Sequence, residues 1–231
     1  MKIKNISIVY YMRRLVISDL HMGSLFSREN KILKLLKEEK FDELILGGDI
    51  IDFIKVPKFT KTSLEIFNIL SNLSITIIYI IGNHDIAFSE FEDQTFLNLH
   101  FMKRYNFIDC NKKIRVEHGD DYDNSIVKWE YLMLLVSLIG NIIERYLKID
   151  TEKIINFWNK LWDKRNNYTD SMNVLYENRD VDIFIMGHTH RPDIIEATIG
   201  GKHMIYANSG DWVQHSTYLI IENGEVELNY Y

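Results

Sequence analysis

Three side chains able to do chemistry follow one another directly after an apolar run: Asn83, His84 and Asp85. The run, residues 75–80, predicts a buried strand, which places the three side chains on the loop at its end. An amide oxygen can hold a metal ion, an imidazole can exchange a proton with a substrate, and a carboxylate can orient that imidazole by a hydrogen bond. The group therefore points to a metal-dependent catalytic site rather than to a plain turn.

Six further candidate ligands stand beside glycines or sharp turns at the ends of other predicted strands. They are two aspartates and four histidines: Asp19, His21, Asp49, His118, His188 and His190. Oxygen and imidazole ligands together suit manganese, iron or zinc, because imidazole is a poor ligand for calcium and magnesium. With Asn83, the seven side chains exceed one tetrahedral site and suffice for two ions if one carboxylate bridges. Two ions about 3.5–4 Å apart are the usual arrangement for displacement at phosphorus.

The elements that must carry these loops alternate between strand and helix. Strands and helices are predicted in turn over 13–18, 29–39, 43–46, 62–73 and 75–80. Repeated strand–loop–helix units are typical of an α/β fold with parallel strands, in which ligands bind beyond the carboxyl ends of the strands. All three polar loops of this half fall at those ends.

The second half of the chain departs from this alternation. The pattern predicts one helix and then six strands, over residues 91–105, 113–117, 182–186, 194–198, 204–207, 218–221 and 225–228. A helical insertion at about 123–178 separates the first two of these strands. Asn223 and Gly224 between the last two strands are a strong hairpin signal. We expect a single domain over 1–231, in which residues 1–11 are either an added strand or an upstream start.

The composition indicates the class of protein, its expected partners and its cellular compartment. The chain has 231 residues, of which 46% are hydrophobic and 26% charged, an ordinary globular balance. Its formal net charge of −6 provides no general basic surface for a nucleic-acid backbone, so nucleic acid is not an expected partner. The lone cysteine, Cys110, excludes an internal disulfide and suits a reducing compartment. Since no secretory signal is evident near the first residue, we expect a cytoplasmic protein.

Five short blocks occur in order between residues 19 and 190: Asp-x-His, Gly-Asp, Gly-Asn-His-Asp, His-Gly and Gly-His-x-His. Together they resemble the calcineurin-like metallophosphoesterase family. The resemblance implies a four-layer α/β/β/α sandwich of mixed sheets with a helical lid insertion. It also implies two divalent metal ions, manganese first, with iron or zinc as alternatives. In that set one ion is held by Asp19, His21 and His190, the other by Asn83, His118 and His188, and Asp49 bridges them.

Catalytic roles follow from the same resemblance. A hydroxide between the ions would attack phosphorus in line, and His84 would stabilise the transition state and protonate the leaving oxygen. Asp85 would fix the tautomer of His84 through the other ring nitrogen. Asp52 and Asp120 lie close to ligands in the sequence. They are expected either to orient those ligands or to serve only as a helix cap and a solvated turn residue.

Two features resemble a subgroup of the family, around UDP-2,3-diacylglucosamine pyrophosphatase. They are the block at 206–213 and the helical insertion, which lies where that enzyme carries a lid for acyl chains. That enzyme typically has arginine in the place of His84, and arginine cannot give a proton to a leaving group. We therefore expect phosphomonoester or phosphodiester substrates, with a UDP-sugar lipid as the related alternative.

The insertion contains thirteen consecutive residues without a charge, 131–143, too few for a membrane span of about 20 residues. Such a segment is either a helix packed within the protein or an apolar face for a lipid tail or for peripheral contact with the inner membrane surface. Two other functions stay open. One is a phosphodiesterase of nucleotides or nucleic acid, against which the acidic balance weighs. The other is a non-catalytic scaffold on the same fold, against which the complete ligand set weighs.

Overall fold

The computed structural model describes residues 12–54, 56–122 and 167–231 of the chain. The predictions for residues 1–11 and for most of the helical insertion, including the uncharged segment 131–143, concern residues outside these ranges. The described part contains two β-sheets and the helices that lie on them.

The first half of the chain forms the predicted strand–helix units. They are β1 (Arg14–Ile17), α1 (Glu29–Glu38), β2 (Glu43–Leu46), α2 (Lys61–Asn72) and β3 (Thr76–Ile80). The strands are parallel neighbours in the order β1-β2-β3. α2 begins at a capping box, in which the side chain of Thr60 accepts a hydrogen bond from the N–H of Ser63. Since the three strands run in one direction, the loops that follow them meet at one edge of the sheet.

The helix predicted over 91–105 is wrong. The segment forms a short 3-10 helix and three strands: Ile86–Phe91, β4 (Thr95–Phe96), β5 (Leu99–Met102) and β6 (Arg104–Asp109). Asp93 and Leu97 have left-handed backbone, with φ of 61° and 56°, which no helix can accommodate. β5 pairs in parallel with β3, and the ring of Phe101 lies 5.0 Å from that of Tyr79. The segment therefore pairs with β3 as a strand, although the spacing of its apolar residues is typical of a helix.

Five strands build the second sheet, and among the described residues one helix precedes its middle strand. After β6 they are β7 (Lys112–Glu117), α3 (Asn167–Glu177), β8 (Ile183–Met186), β9 (Asp193–Ile199) and β10 (Lys202–Asn208). Their order in the sheet is β6-β7-β8-β10-β9. β7, β8 and β10 are parallel, and the two outer strands are antiparallel to their neighbours. The carboxyl ends of β7 and β8 therefore share one edge.

The last two strands, β11 (Thr217–Glu222) and β12 (Glu225–Tyr230), return the chain to the first sheet. The order there is β12-β11-β1-β2-β3-β5-β4. Asn223 and Gly224, with φ of 57° and 72°, connect the paired residues Glu222 and Glu225 in a two-residue turn. Such a turn needs positive φ at both positions. The predicted hairpin is confirmed.

Apolar side chains fill three layers between these elements. Between the two sheets lie residues of both, among them Val16, Ile45, Ile78, Ile114, Val116 and Ile183. α1 and α2 bury Ile32 and Ile66 on the outer face of the first sheet. α3 buries Val174 and Leu175 against Phe184 of the second. The layers run α/β/β/α, which confirms the predicted sandwich of mixed sheets. Among the described residues, no helix is both long and apolar enough to cross a bilayer.

Candidate active site

Five strand ends meet at one edge of the sandwich, and each carries predicted ligands. The first sheet supplies Asp19, His21, Asp49 and Asn83, and the second supplies His118, His188 and His190. Backbone hydrogen bonds join the loops within each sheet. The N–H of Asp19 donates to the carbonyl oxygen of Gly48 at 2.9 Å, and the N–H of Gly187 donates to that of His118 at 3.0 Å. The loops are therefore fixed to one another before any ligand binds.

The backbone of these loops is strained at the ligands themselves. Five of the seven have left-handed conformation, with φ between 46° and 58°: Asp19, His21, Asp49, His188 and His190. Residues other than glycine adopt this conformation rarely, and it persists where the surrounding structure enforces it, often at functional sites. Gly48, with φ of 93°, is required for a second reason, because a Cβ there would overlap the ring of His118.

Asp19, His21 and His190 form a first group, the Asp19 cluster. Each offers one ligand atom, and these atoms lie within 4.8 Å of one another. Nε2 of His190 lies 3.0 Å from Oδ1 of Asp19 and 3.3 Å from Nε2 of His21. Two imidazole nitrogens and one carboxylate oxygen that converge in this way can hold a transition-metal ion.

Asp49, Asn83, His118 and His188 form a second group, the Asp49 cluster. Ligand atoms of Asp49, His118 and His188 lie within 4.8 Å of one another. Oδ1 of Asn83 lies 3.1 Å from Nε2 of His118, and Oδ2 of Asp49 lies 3.3 Å from the same nitrogen. Burial opposes ionisation of Asp49, but the positive charges of His118 and His84 hold its pKa well below the usual range. This cluster therefore keeps its negative charge at neutral pH.

The hydrogen bonds of His118 show how the Asp49 cluster could hold a cation. Nδ1 lies 3.1 Å from the carbonyl oxygen of Gly47, so this nitrogen donates and Nε2 turns to the oxygens of Asn83 and Asp49. Acceptor atoms that face one another in a buried site are stabilised by a proton or a metal cation between them. Burial alone would lower the pKa of His118, but the charge of Asp49 and its hydrogen bond raise it to about 10. A divalent cation would replace that proton.

Hydroxyl groups hold the carboxylate of Asp19. Ser18 Oγ donates to Oδ2 of Asp19 at 2.5 Å, and the N–H of His188 donates to the same oxygen at 3.1 Å. Ser209 Oγ lies 2.6 Å from Ser18 Oγ, so a chain of hydroxyl groups reaches Asp19 from the second sheet. Oδ1 of Asp19 faces Nε2 of His190, 3.0 Å away. One oxygen is thus anchored and the other is presented to the cluster.

His84 contacts both clusters on one side and Asp52 on the other. Its ring meets that of His21 edge-on, with centroids 4.6 Å apart. Nδ1 lies 2.9 Å from Oδ1 of the fully buried Asp52, and Nε2 lies 3.8 Å from Oδ2 of Asp49. The side chain is 22% exposed, so a substrate can approach it. A buried carboxylate at Nδ1 fixes the orientation of the ring and stabilises its protonated form.

The expected hydrogen bond between Asp85 and the other ring nitrogen of His84 is replaced by this contact with Asp52. Both oxygens of Asp85 instead accept backbone N–H groups of the loop after β2, from Ile50 at 3.0 Å and from Ile51 at 2.9 Å. Successive side chains point apart, so neighbours in sequence rarely pair. Burial and then the charge of Asp49 raise the pKa of Asp85 to about 7, against the effect of its two donors. Asp85 thus fastens the loop that presents Asp52.

Asp120 opens a short 3-10 turn, Asp120–Tyr122, directly beyond His118 and Gly119. It is half-buried and, with His118 and Arg104, lines a cavity of about 370 Å³. Arg104 itself pairs with the buried carboxylate of Glu117. The cavity borders the Asp49 cluster and is large enough for a small organic group.

Two further residues at the site, Ser209 and Asp211, belong to none of the five ligand blocks. Ser209 supports Ser18, and the buried carboxylate of Asp211 pairs with Nδ1 of His215. Burial would raise the pKa of Asp211, but the hydrogen bond from His215 and the charge of His190 lower it to about 2. Ser209 and Asp211 belong to the block at 206–213, and the resemblance of that block was the one sequence signal for them.

Comparison with known proteins establishes the family. The sequence pattern of the calcineurin-like phosphoesterases matches residues 12–192, more than half of the chain. The chain belongs to this family. The ligand clusters of this calcineurin-like phosphoesterase draw on both sheets of its fold, and all seven of their residues fall within the matched range.

Solved structures similar to this calcineurin-like phosphoesterase include Vps29 from Chaetomium thermophilum, with a TM-score of 0.52 and 12% identity, covering 95% of this chain and 98% of that one. YfcE, a phosphoesterase from E. coli, has a TM-score of 0.48 and 16% identity, covering 92% and 89%. An archaeal phosphodiesterase has a TM-score of 0.47 and 13% identity, covering 95% and 100%. The likeness to Vps29 shows the fold alone. No curated protein matches the sequence significantly.

Proposed function

We propose that this calcineurin-like phosphoesterase hydrolyses phosphoesters with two divalent metal ions. Manganese is the ion that we propose first. The observation that supports the proposal is the convergence of ligand atoms in the two clusters, which His84 adjoins through its contacts with His21 and Asp49. The Asp19 cluster would hold one ion. Asn83, His118 and His188 would hold the other, with Asp49 shared between them. Bound ions of this kind lower the pKa of water and neutralise the charge of a phosphate group.

His84 would supply a proton to the leaving oxygen. Since Nδ1 is engaged with Asp52 at 2.9 Å, Nε2 is the nitrogen that faces the clusters, 3.8 Å from Oδ2 of Asp49. A proton at Nε2 can pass to a departing alkoxide, and the carboxylate of Asp52 stabilises the ring while it is charged. Asp85 would hold the loop that keeps Asp52 in place, through Ile50 and Ile51.

We infer that the substrates are phosphomonoesters or phosphodiesters that release an alcohol. An alkoxide is a poor leaving group and needs a proton, whereas a nucleotide released from a pyrophosphate leaves readily without one. His84 stands where UDP-2,3-diacylglucosamine pyrophosphatase typically has arginine, which cannot serve as an acid. A lipid-linked phosphoester falls within the proposed class, and UDP-diacylglucosamine is the alternative substrate that an assay should include.

The experiment uses two diesters that differ only in the group released, one losing p-nitrophenolate and one losing an alkoxide, with manganese present. The wild-type chain should turn over both. His84→Asn should lower kcat for the alkyl ester by about 10²–10⁴-fold and lower it much less for the nitrophenyl ester, which needs no acid. Ile108→Ser, at an exposed position on β6, serves as the control variant. Equal losses on both esters would contradict the role of His84, and no turnover of any ester would contradict the proposed activity.

A further inference from the structure

A stretch next to the site combines apolar and basic side chains and lacks acidic ones. Residues 53–64 read Phe-Ile-Lys-Val-Pro-Lys-Phe-Thr-Lys-Thr-Ser-Leu, with three lysines and no aspartate or glutamate, in a chain whose net charge is −6. Val56 is 76% exposed, Phe59 43% and Phe53 37%. Several large apolar side chains exposed on one loop indicate an interaction surface for a protein, a ligand or a membrane.

The loop after β1 extends this surface. A Cβ on Gly23 would lie 2.6 Å from the Cβ of Pro57, so the two loops are in contact. The N–H of Lys58 also donates to the carbonyl oxygen of Gly23 at 2.9 Å. Leu25, which is 53% exposed, lines a cavity of about 480 Å³ together with Lys58. The basic-apolar surface consists of Leu25, Phe53, Val56, Lys58, Phe59 and Lys61.

Polar contacts beneath the basic-apolar surface hold it in shape. Glu29 is buried and accepts hydrogen bonds from the hydroxyl of Thr60 at 2.6 Å, from that of Ser63 at 2.8 Å and from the N–H of Gly23 at 3.3 Å. Glu29 also lines the cavity beside Lys58. Within the described ranges, neither Lys58 nor Lys61 has an ion-pair partner. The surface is thus preorganised, and its two lysines are available to an anionic partner.

The basic-apolar surface borders the ligand clusters. Phe53 directly follows Asp52, and its N–H lies 3.3 Å from the carbonyl oxygen of His84, to which it donates. The loop that carries Leu25 begins at the ligands Asp19 and His21. We propose that this surface docks the chain on a membrane rich in anionic lipids and so brings the clusters to the lipid headgroups.

Both components of the surface suit a lipid headgroup layer. Apolar side chains enter the boundary between headgroups and acyl chains, while lysines stay at the level of the phosphates. Each lysine near such a surface strengthens binding about fivefold. Lysine is the one hydrogen-bonding side chain at residues 53–59, and a lysine can contact a lipid phosphate.

The test is sedimentation of the whole chain with phosphatidylcholine vesicles that either contain or lack phosphatidylglycerol. It needs no turnover, so its result is independent of the proposed hydrolytic function. The variants are Lys58→Gln with Lys61→Gln, and Val56→Ser. The control variants are Lys113→Gln and Ile108→Ser, which remove an exposed lysine and an exposed apolar group. These two residues pair across β6 and β7 of the second sheet, whereas the basic-apolar surface follows strands of the first.

We expect binding to the anionic vesicles, weaker at high salt, that falls about 25-fold when both lysines are lost and several-fold in Val56→Ser. The control variants should bind like the wild type. Absence of binding to anionic vesicles would overturn the proposal, as would equal losses in the control variants. Binding to a soluble acidic polypeptide but not to vesicles would assign the surface to an acidic protein and would also overturn it.

Discussion

The two ligand clusters of the site differ in what holds them. In the Asp19 cluster the carboxylate is supported by the hydroxyl of Ser18 as well as by the N–H of His188, and the ring of His190 is 13% exposed. In the Asp49 cluster the supports belong to the main chain. The N–H of His84 donates to Oδ1 of Asp49 at 2.8 Å, and the carbonyl oxygen of Gly47 lies 3.1 Å from Nδ1 of His118. A side-chain donor can be removed by one substitution, whereas a main-chain donor cannot. A mutation can therefore weaken metal binding in the Asp19 cluster without changing the Asp49 cluster.

The difference implies an order of metal loss. His118 is only 1% exposed, and its contacts cannot be removed without moving the backbone of two loops. Supports of a ligand tune affinity as well as orientation, and their loss typically weakens metal binding by about 10–100-fold. We therefore expect the Asp49 cluster to retain an ion under conditions in which the Asp19 cluster has lost its own.

Removal of Asp49, the carboxylate that we propose is shared, should abolish the difference between the two clusters. In Asp49→Ala neither cluster keeps its charge balance, so we expect both ions to be lost on dialysis and kcat to fall by at least about 10³-fold. Metal content by inductively coupled plasma mass spectrometry, with circular dichroism as the check on folding, measures this. A folded variant that retains one ion and substantial turnover would show that Asp49 is not shared.

Asp52→Asn should separate catalysis from metal binding. Without a charged partner at Nδ1, the ring of His84 is harder to protonate, so kcat should fall by about 10²-fold and its high-pH limb should move to lower pH. Asp52 lies within 4.8 Å of the ligand His21 as well as of His84. We nevertheless expect the bound metal to stay close to the wild-type level, because Asp52 belongs to neither the Asp19 cluster nor the Asp49 cluster. Unchanged kcat and an unchanged pH profile would instead assign the orienting role to another group.

Ser18→Ala should loosen the Asp19 cluster alone. Oδ2 of Asp19 loses its hydroxyl donor, and we expect one of two manganese-binding steps to weaken by about 10–100-fold in isothermal titration calorimetry, with the other unchanged. Ser63→Ala is the matched control, since it removes another buried hydroxyl, which contacts Glu29 rather than a ligand. If both steps weaken equally, the clusters are not supported independently.

The smallest expected effect concerns Asp211, at the border of the Asp19 cluster. Its pKa lies at about 2, below the usual 3.8, so its ionised form stabilises the fold above about pH 4 and the contribution disappears as the pH falls toward 2. Asp211→Asn should therefore lower the free energy of unfolding by roughly 2 kcal/mol at pH 7 and by much less at pH 2. Urea unfolding at the two pH values tests this. The same loss at both would mean that the charge is irrelevant.

Much of the fold could be predicted because the parallel strands are short apolar runs followed by polar loops. The failure at 91–105 arose because Phe101 and its neighbours join β3, a long-range pairing that local spacing does not reveal. The candidate ligands could be predicted because metal ions bind carboxylate and amide oxygens and imidazole nitrogens, which only a few residue types provide. The partner of His84 was not, since Asp52 reaches it through the packing of two loops and Asp85 is only its neighbour in sequence. Ser18 and Ser209 are ordinary residues whose role depends entirely on geometry.

The most direct test of the two-ion site is anomalous diffraction at the manganese absorption edge from crystals grown with manganese. We predict two peaks about 3.5–4 Å apart, one at Asp19, His21 and His190 and one at Asn83, His118 and His188, with the carboxylate of Asp49 between them. A single peak, or two peaks that do not share Asp49, would contradict the account.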